Sequence, residues 1–148
     1  MGETISTLSV EIARPPAHVF AALTHLGSMR DRLGRSTSYG GTENVSDDPV
    51  RTGSTYTDRT PIGRLRGEVL ELEVDRRVVF RQATDGGRLA VVITYALEPS
   101  AGGTRLTRTG RITTRGLLGL VHPLVVRATV AENRRTLERL RASLEAPS

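Results

Sequence analysis

The chain of 148 residues contains no cysteine, no tryptophan and no lysine. Without cysteine there are no disulfides, no thiolate nucleophile and no cysteine ligands for a metal. No apolar run reaches the roughly 18 residues that a membrane helix needs, and the opening residues Met1–Thr4 lack the basic start of a secretory signal. We therefore expect a single domain, 1–148, located in the cytoplasm and without a membrane span.

Arginine supplies all 21 basic residues, and the formal net charge of +5 raises the question of nucleic-acid binding. The arginines are scattered among acidic residues, as in Glu132 with Arg135 and Glu138 with Arg141. With three tyrosines and two phenylalanines, the chain lacks a row of aromatics on which bases would stack. We expect a solvated, arginine-rich surface and no nucleic-acid partner.

The three histidines, His18, His25 and His122, are too widely separated to resemble a metal site, and His122 is expected at the surface. A P-loop, a dinucleotide fingerprint and a nucleophile elbow are also missing from the sequence. We therefore expect no metal and no cofactor.

Alternating apolar residues and turn signals predict seven strands, with two short helices after the first of them. The strands are expected at 5–12, 36–45, 53–60, 64–74, 77–84, 88–98 and 104–114, and the short helices at 17–24 and 26–33. The connections between the later strands are short, which favours an antiparallel sheet.

The last thirty residues, Leu117–Ala146, show one long helical pattern. Its apolar stripe, interrupted only by Asn133, consists of Val126, Val130, Leu137, Leu140 and Leu144, and a second row of Leu117, Val121, Leu124, Ala128 and Ala131 is expected to widen it. A kink or restart is expected at Pro123. A long helix after a run of strands packs on the sheet face, and a curved sheet leaves space beside it.

Several segments, in this order, resemble the polyketide cyclase/dehydrase branch of the START/Bet v 1-like (SRPBCC) superfamily. They are 13–24 after the first strand, 50–55, the hairpin formed by 67–73 and 76–81, 103–107, and the terminal helix. The resemblance covers nearly the whole chain. It implies an α+β, helix-grip fold in which a seven-stranded antiparallel sheet wraps around a C-terminal helix and leaves a deep pocket for an apolar ligand. Members of the superfamily share no catalytic signature.

Tyr56 and Asp58 lie two residues apart on one predicted strand and therefore share a face. If that face borders the pocket, burial would raise the pKa of the Asp58 carboxyl toward the range of a general base. If it is the outer face, Asp58 would pair with a surface arginine. The sequence leaves the two alternatives open.

Arg108 is expected on the inner face of the last strand, where an unpaired charge is costly. It would bind a ligand carboxylate, stabilise an enolate, form a structural ion pair with Asp58 or Glu71, or reach solvent from the end of the strand. Asn133 would bind a ligand carbonyl or cap the backbone. The predicted ligand-binding residues are Tyr39, Tyr56, Phe80, Tyr95, Arg108, Val126, Val130 and Asn133, and the predicted catalytic residues are Asp58, Tyr56 and Arg108.

The sequence is compatible with three functions. The first is binding of a hydrophobic small molecule, polyketide-like, aromatic or lipid-like, in secondary metabolism. The second is a cyclase or dehydratase in which Asp58 removes a proton next to a carbonyl. The third is an interaction module without catalysis, for instance a homodimer.

Overall fold

The computed structural model describes residues 2–36 and 38–146. Within these ranges seven strands and four α-helices follow one another. They are β1 (Gly2–Ile12), α1 (Pro16–Thr24), α2 (Leu26–Leu33), β2 (Gly41–Glu43), β3 (Thr55–Thr60), β4 (Gly63–Glu73), β5 (Arg77–Ala83), β6 (Leu89–Ser100), β7 (Gly103–Thr114), α3 (Leu117–Leu120) and α4 (His122–Glu145). A 3₁₀ turn, Asp85–Gly87, connects β5 to β6.

The strands form one antiparallel sheet in the order β1-β7-β6-β5-β4-β3-β2. After β1 the chain crosses over through α1 and α2 to the far edge, and the remaining strands return as a meander. The long helix α4 packs along β1 and against α2. The predicted fold class, an α+β fold with a seven-stranded antiparallel sheet around a C-terminal helix, is therefore confirmed.

The alternation along β6 places the core as the sequence predicted. From Leu89 to Leu97 every second residue of β6 is buried on the concave face, namely Leu89, Val91, Ile93, Tyr95 and Leu97. Leu106 and Ile112 of the neighbouring β7 are fully buried on the same face. The concave face of the sheet, covered by α1, α2 and α4, is thus where most of the apolar surface leaves water.

Two predicted strands are shorter in the structure. The segment expected at 36–45 forms only the three-residue β2, and the segment expected at 53–60 begins at Thr55. Gly41 and Gly53 adopt φ values of 121° and 92°, which residues with a side chain rarely adopt. These glycines therefore stand where a turn enters each strand.

The expected restart of the terminal helix occurs just before Pro123, because Val121 leaves the helical region with φ −111° and ψ 23°. The prediction that a second apolar row would widen the buried face is wrong, because all five of its residues are exposed, namely Leu117, Val121, Leu124, Ala128 and Ala131. Leu117, Leu120, Val121 and Leu124 are 72, 80, 42 and 63% exposed. These four side chains face solvent on either side of the break, whereas Leu118 of α3 packs against the core.

The helix α4 is fixed at both ends. The His122 ring lies between Thr4 and Thr114, with each hydroxyl oxygen 2.7 Å from one ring nitrogen, so His122 joins the helix start to β1 and β7. It is half-buried in this position, although the sequence placed it at the surface. At the other end the amide of Ala13 donates to Glu145 Oε2 over 2.8 Å. These contacts hold α4 across the sheet.

Candidate functional site

A cavity of about 340 Å³ lies between the concave face of the sheet, α2 and the first half of α4. Its apolar walls include Leu26, Met29, Leu65, Phe80, Val91 and Ile93. Two residues that border it, Ile62 and Ala128, are exposed, so the cavity opens between the β3–β4 turn and α4. A concave, mainly apolar space of this size with a few polar groups is typical of a small-molecule site.

The structure decides which face of β3 borders the cavity. Tyr56 and Asp58 both line it, whereas Arg59 is exposed on the opposite face and pairs with Glu43 over 2.6 Å. The alternative in which Asp58 pairs with a surface arginine is therefore wrong. The phenol and the carboxylate expected to share a face do share it, and it faces inward.

Asp58 is held by two hydrogen bonds from neighbouring strands. Thr42 Oγ1 on β2 donates to Oδ1 over 2.6 Å, and Gln82 Nε2 on β5 donates to Oδ2 over 3.0 Å. Burial raises the pKa of the Asp58 carboxyl from 3.8 to about 6, because removal from water disfavours the charge more than the two hydrogen bonds favour it. Asp58 can therefore change protonation state near neutral pH.

Two hydroxyl groups, those of Thr42 and Tyr39, continue from Asp58 along the cavity wall. Thr42 uses its single hydrogen to donate to Asp58, so the Tyr39 hydroxyl, 2.6 Å from Thr42 Oγ1, is the donor in that contact. Burial raises the pKa of Tyr39, which keeps its phenol protonated. Tyr39, Thr42 and Asp58 thus form a continuous line of hydrogen-bonded oxygens in the cavity wall.

Gln82 connects Asp58 to Tyr56. Its Nε2 also donates to the Tyr56 hydroxyl over 2.8 Å. Burial raises the pKa of Tyr56 well above 10, so this phenol stays neutral. Because its oxygen accepts from Gln82, its own hydrogen is available to a group in the cavity.

Aromatic rings continue from Tyr56 across the sheet. Tyr56 and Phe80 meet edge to face with ring centroids 5.9 Å apart, and Phe80 and Tyr95 do the same at 6.1 Å. Such edge-to-face pairs are favoured by the ring quadrupoles. All three residues were predicted to bind ligand, and all three line the cavity.

Arg108 stands at the end of this aromatic row, directly opposite Tyr95 in the β6–β7 register. It is 9% exposed and borders the cavity. Nη1 donates to the Tyr95 hydroxyl, and the guanidinium carbon lies 5.2 Å from the centre of the Tyr95 ring. Arg108 Nε is buried without a hydrogen-bond partner in the described part of the chain.

The structural ion pairs considered for Arg108 do not form. Glu71 pairs instead with Arg77 over 3.4 Å. Asp58 accepts from Thr42 and Gln82 and makes no ion pair with Arg108 among the residues that the structure describes. The inward orientation of Arg108 predicted from the alternation along the strand is therefore correct, and none of the described carboxylates forms an ion pair with it.

Asn133, on α4, is 4% exposed and borders the cavity. It lies over Gly110, where a Cβ would come within 3.7 Å of Asn133 Nδ2. Among residues 2–36 and 38–146, the side-chain amide of Asn133 has no hydrogen-bond partner. The structure therefore does not support the alternative in which Asn133 caps a backbone group.

Two predicted ligand-binding residues of α4, Val126 and Val130, do not line the cavity. The lining residues of this helix are Val125, Ala128, Thr129, Glu132, Asn133 and Thr136. One residue corresponds to about 100° of rotation around a helix, so the lining row lies on the side next to the large apolar stripe and meets it at Asn133. Val126 packs against the core, while smaller and more polar side chains border the space.

No three histidine, aspartate or glutamate side chains in the described ranges, 2–36 and 38–146, are grouped so that they could hold a metal ion. In those same ranges, none of the helices combines the length and apolar character required to cross a membrane.

The chain is similar to known proteins in both sequence and fold. The model of the family described as polyketide cyclase / dehydrase and lipid transport matches residues 3–145. The chain belongs to this family. The resemblance found in the sequence is confirmed, and together with the fold it suggests binding of a hydrophobic ligand. Among curated proteins none matches the chain.

Solved structures with the same fold come from several bacteria. Protein MLL2253 from Mesorhizobium loti is 18% identical with a TM-score of 0.73, over 96% of this chain and 97% of that one. Protein CV1439 from Chromobacterium violaceum is 17% identical with a TM-score of 0.72, over 97% and 99%. The Mll3558 protein from Rhizobium loti is 25% identical with a TM-score of 0.69, over 96% and 99%. The first two likenesses show the fold alone.

Sequence reasoning missed Thr42 and Gln82, the two residues that hold Asp58. For Gln82 a signal was present, because it lies two residues after Phe80 on the same strand and so shares its inward face. Thr42 offered no such signal, since its strand has only three residues.

Proposed function

We propose that the protein binds a hydrophobic small molecule, polyketide-like, aromatic or lipid-like, in the cavity between the sheet and α4. The observation that carries this proposal is the open, mainly apolar cavity of about 340 Å³. In such a site the burial of apolar ligand surface supplies most of the affinity, at roughly 25 cal/mol per Å², and polar groups orient the ligand. A role in secondary metabolism, in the cytoplasm, is the natural extension.

Native mass spectrometry of protein purified gently from its source tests this proposal. A retained small molecule of constant mass, released on denaturation, is the expected result. An empty protein that also fails to bind any apolar probe in solution would contradict it. The fluorescence of 1-anilinonaphthalene-8-sulfonate supplies such a probe.

A second candidate function is acid–base catalysis on a ligand with an enolisable carbonyl. It is favoured by Asp58, a cavity carboxyl whose pKa of about 6 suits a general base near neutral pH. Asp58 would accept a proton from the carbon next to the carbonyl, and the electron pair of the broken C–H bond would form the enolate. Tyr56, which is neutral and has a free hydrogen, would donate to the enolate oxygen.

The enolate would then react in one of two ways. In a cyclisation the enolate carbon attacks a second carbonyl of the same ligand, and the resulting alkoxide takes the proton back from Asp58. In a dehydration the enolate expels a hydroxyl group from the next carbon, and this group leaves as water with the proton of Asp58.

Exchange of the methyl hydrogens of 2-acetylnaphthalene for deuterium, followed by NMR, tests Asp58 as a base. The protein should accelerate exchange, and Asp58→Asn should abolish the acceleration while the affinity for 2-acetylnaphthalene changes little. Unchanged exchange in a folded Asp58→Asn variant would remove Asp58 from this role and leave ligand binding untouched.

A further inference from the structure

The most unusual group in the cavity is the Arg108 guanidinium. It is permanently charged and nine-tenths buried. Burying a charge without a partner of opposite sign is strongly unfavourable. Of its five N–H donors, one is used by Tyr95, and Nε has no partner among the described residues.

The two carboxylates that border the cavity are occupied by other residues. Asp58 accepts from Thr42 and Gln82. Glu132 forms an ion pair with Arg135 over 2.8 Å and also accepts from Ser36 over 2.6 Å. The remaining titratable groups of the cavity, Tyr39, Tyr56 and Tyr95, are phenols. None of the carboxylates among the described residues therefore forms an ion pair with Arg108, whose side chain borders the space where a ligand would lie.

From this arrangement we infer that the ligand carries an anionic oxygen, such as a carboxylate or an acidic enol, that pairs with Arg108, on an apolar body that fills the rest of the cavity. The inference rests on the proposed function. A neutral apolar ligand would displace water from the guanidinium and leave it unpaired, whereas a carboxylate would satisfy it by charge-assisted hydrogen bonds.

Neighbouring residues fix which way such a ligand lies. Asn133 stands over Gly110, which is two residues from Arg108 on the same face of β7, so its amide can donate at the same end of the cavity. The apolar body then lies along Tyr95, Phe80 and Tyr56. Asp58 lies beyond that row, on β3, where its negative charge would repel a carboxylate. The anionic end of the ligand is therefore expected next to β7, beside Arg108.

Matched acid and amide ligands test the inference by isothermal titration calorimetry at pH 8. The pairs are 2-naphthoate with 2-naphthamide and decanoate with decanamide, which separate an aromatic from a lipid-like body. For at least one pair the acid should bind about 10- to 100-fold more tightly than its amide, as expected for a charge-assisted hydrogen bond. Arg108→Gln should reduce that ratio to near 1 while amide affinity changes little.

The control variant is Arg105→Gln, which removes the same charge from the exposed face of the same strand. It should keep the preference for the acid. If acid and amide bind the unmodified protein equally well, the inference is overturned and the proposed function stands. If no probe binds at all, the proposed function fails as well. Should Arg108→Gln not fold, the acid-to-amide ratio of the unmodified protein decides the question alone.

Discussion

Tyr56 and Gly67 face each other across β3 and β4, and the phenol ring lies so close over the glycine that a Cβ at position 67 would overlap it. The glycine is therefore the reason that Tyr56 can lie flat against the sheet and keep its edge-to-face contact with Phe80. The buried position of Tyr56 in the cavity wall therefore depends on a residue that has no side chain.

Gly67→Ala should consequently destabilise the fold by about 1–3 kcal/mol, because the methyl group must displace a buried ring. The displaced ring should also move into the cavity and weaken ligand binding. Denaturant unfolding measures the first effect. The matched control is Gly102→Ala, where a Cβ would meet nothing within 4 Å and φ is not in the left-handed region. Equal stability of the two variants would contradict this account of Tyr56.

Asp58 should make the stability of the protein pH-dependent. Its carboxyl is protonated in both the folded and the unfolded state below about pH 3.8, and ionised in both above about pH 6. Since the folded-state pKa is the higher one, the free energy of unfolding falls as pH rises between these values, by up to about 3 kcal/mol.

Asp58→Asn isolates this contribution, since the other ionisable groups are common to both proteins. The variant should gain stability relative to the unmodified protein between pH 4 and pH 8, by up to about 3 kcal/mol. Urea unfolding at a series of pH values measures the difference. A difference that does not change with pH would mean that the Asp58 carboxyl is not shifted by burial.

His122 should matter for stability rather than for ligand chemistry. Its two ring nitrogens each make a hydrogen bond over 2.7 Å, one with the Thr4 hydroxyl and one with the Thr114 hydroxyl, at the start of α4. His122→Ala should cost about 1–3 kcal/mol by leaving two hydroxyl groups with poorer partners and should speed amide exchange in α3 and the first turn of α4. His18→Ala, at an exposed position of α1, is the control and should cost less than about 0.5 kcal/mol. Equal losses would show that His122 does not anchor the helix.

The alternation of side chains between the two faces of each strand predicted much of the fold and part of the site. The alternation of β6 and β7 placed Tyr95 and Arg108 inward, and the pairing of Tyr56 with Asp58 followed from their spacing. The direction in which β3 faces was not predictable, because its residues do not alternate between apolar and polar. In the structure the register with β4 places Tyr56 opposite Gly67 and Asp58 opposite Leu65, with both side chains facing the cavity.

The side of α4 that borders the cavity was not predicted correctly from the sequence. Large apolar residues mark the side of a helix that packs tightly, so Val126 and Val130 were expected at the ligand. A cavity is a place where packing is incomplete, and the side of α4 that borders it carries Ala128, Thr129 and Asn133. Small and polar residues at a helical spacing resemble a solvent-facing side, and the sequence alone does not distinguish the two.

The central claim, that the hollow between the sheet and α4 holds the ligand, is tested most directly by filling it from the helix side. Thr129→Phe places a ring in the cavity, whereas Ala131→Phe places the same ring on the exposed side of α4. Titration with 2-naphthoate should give one saturable site per chain in the unmodified protein and in Ala131→Phe. Binding should be at least about tenfold weaker in a folded Thr129→Phe variant. Equal affinity of all three proteins would place the ligand elsewhere and contradict the account.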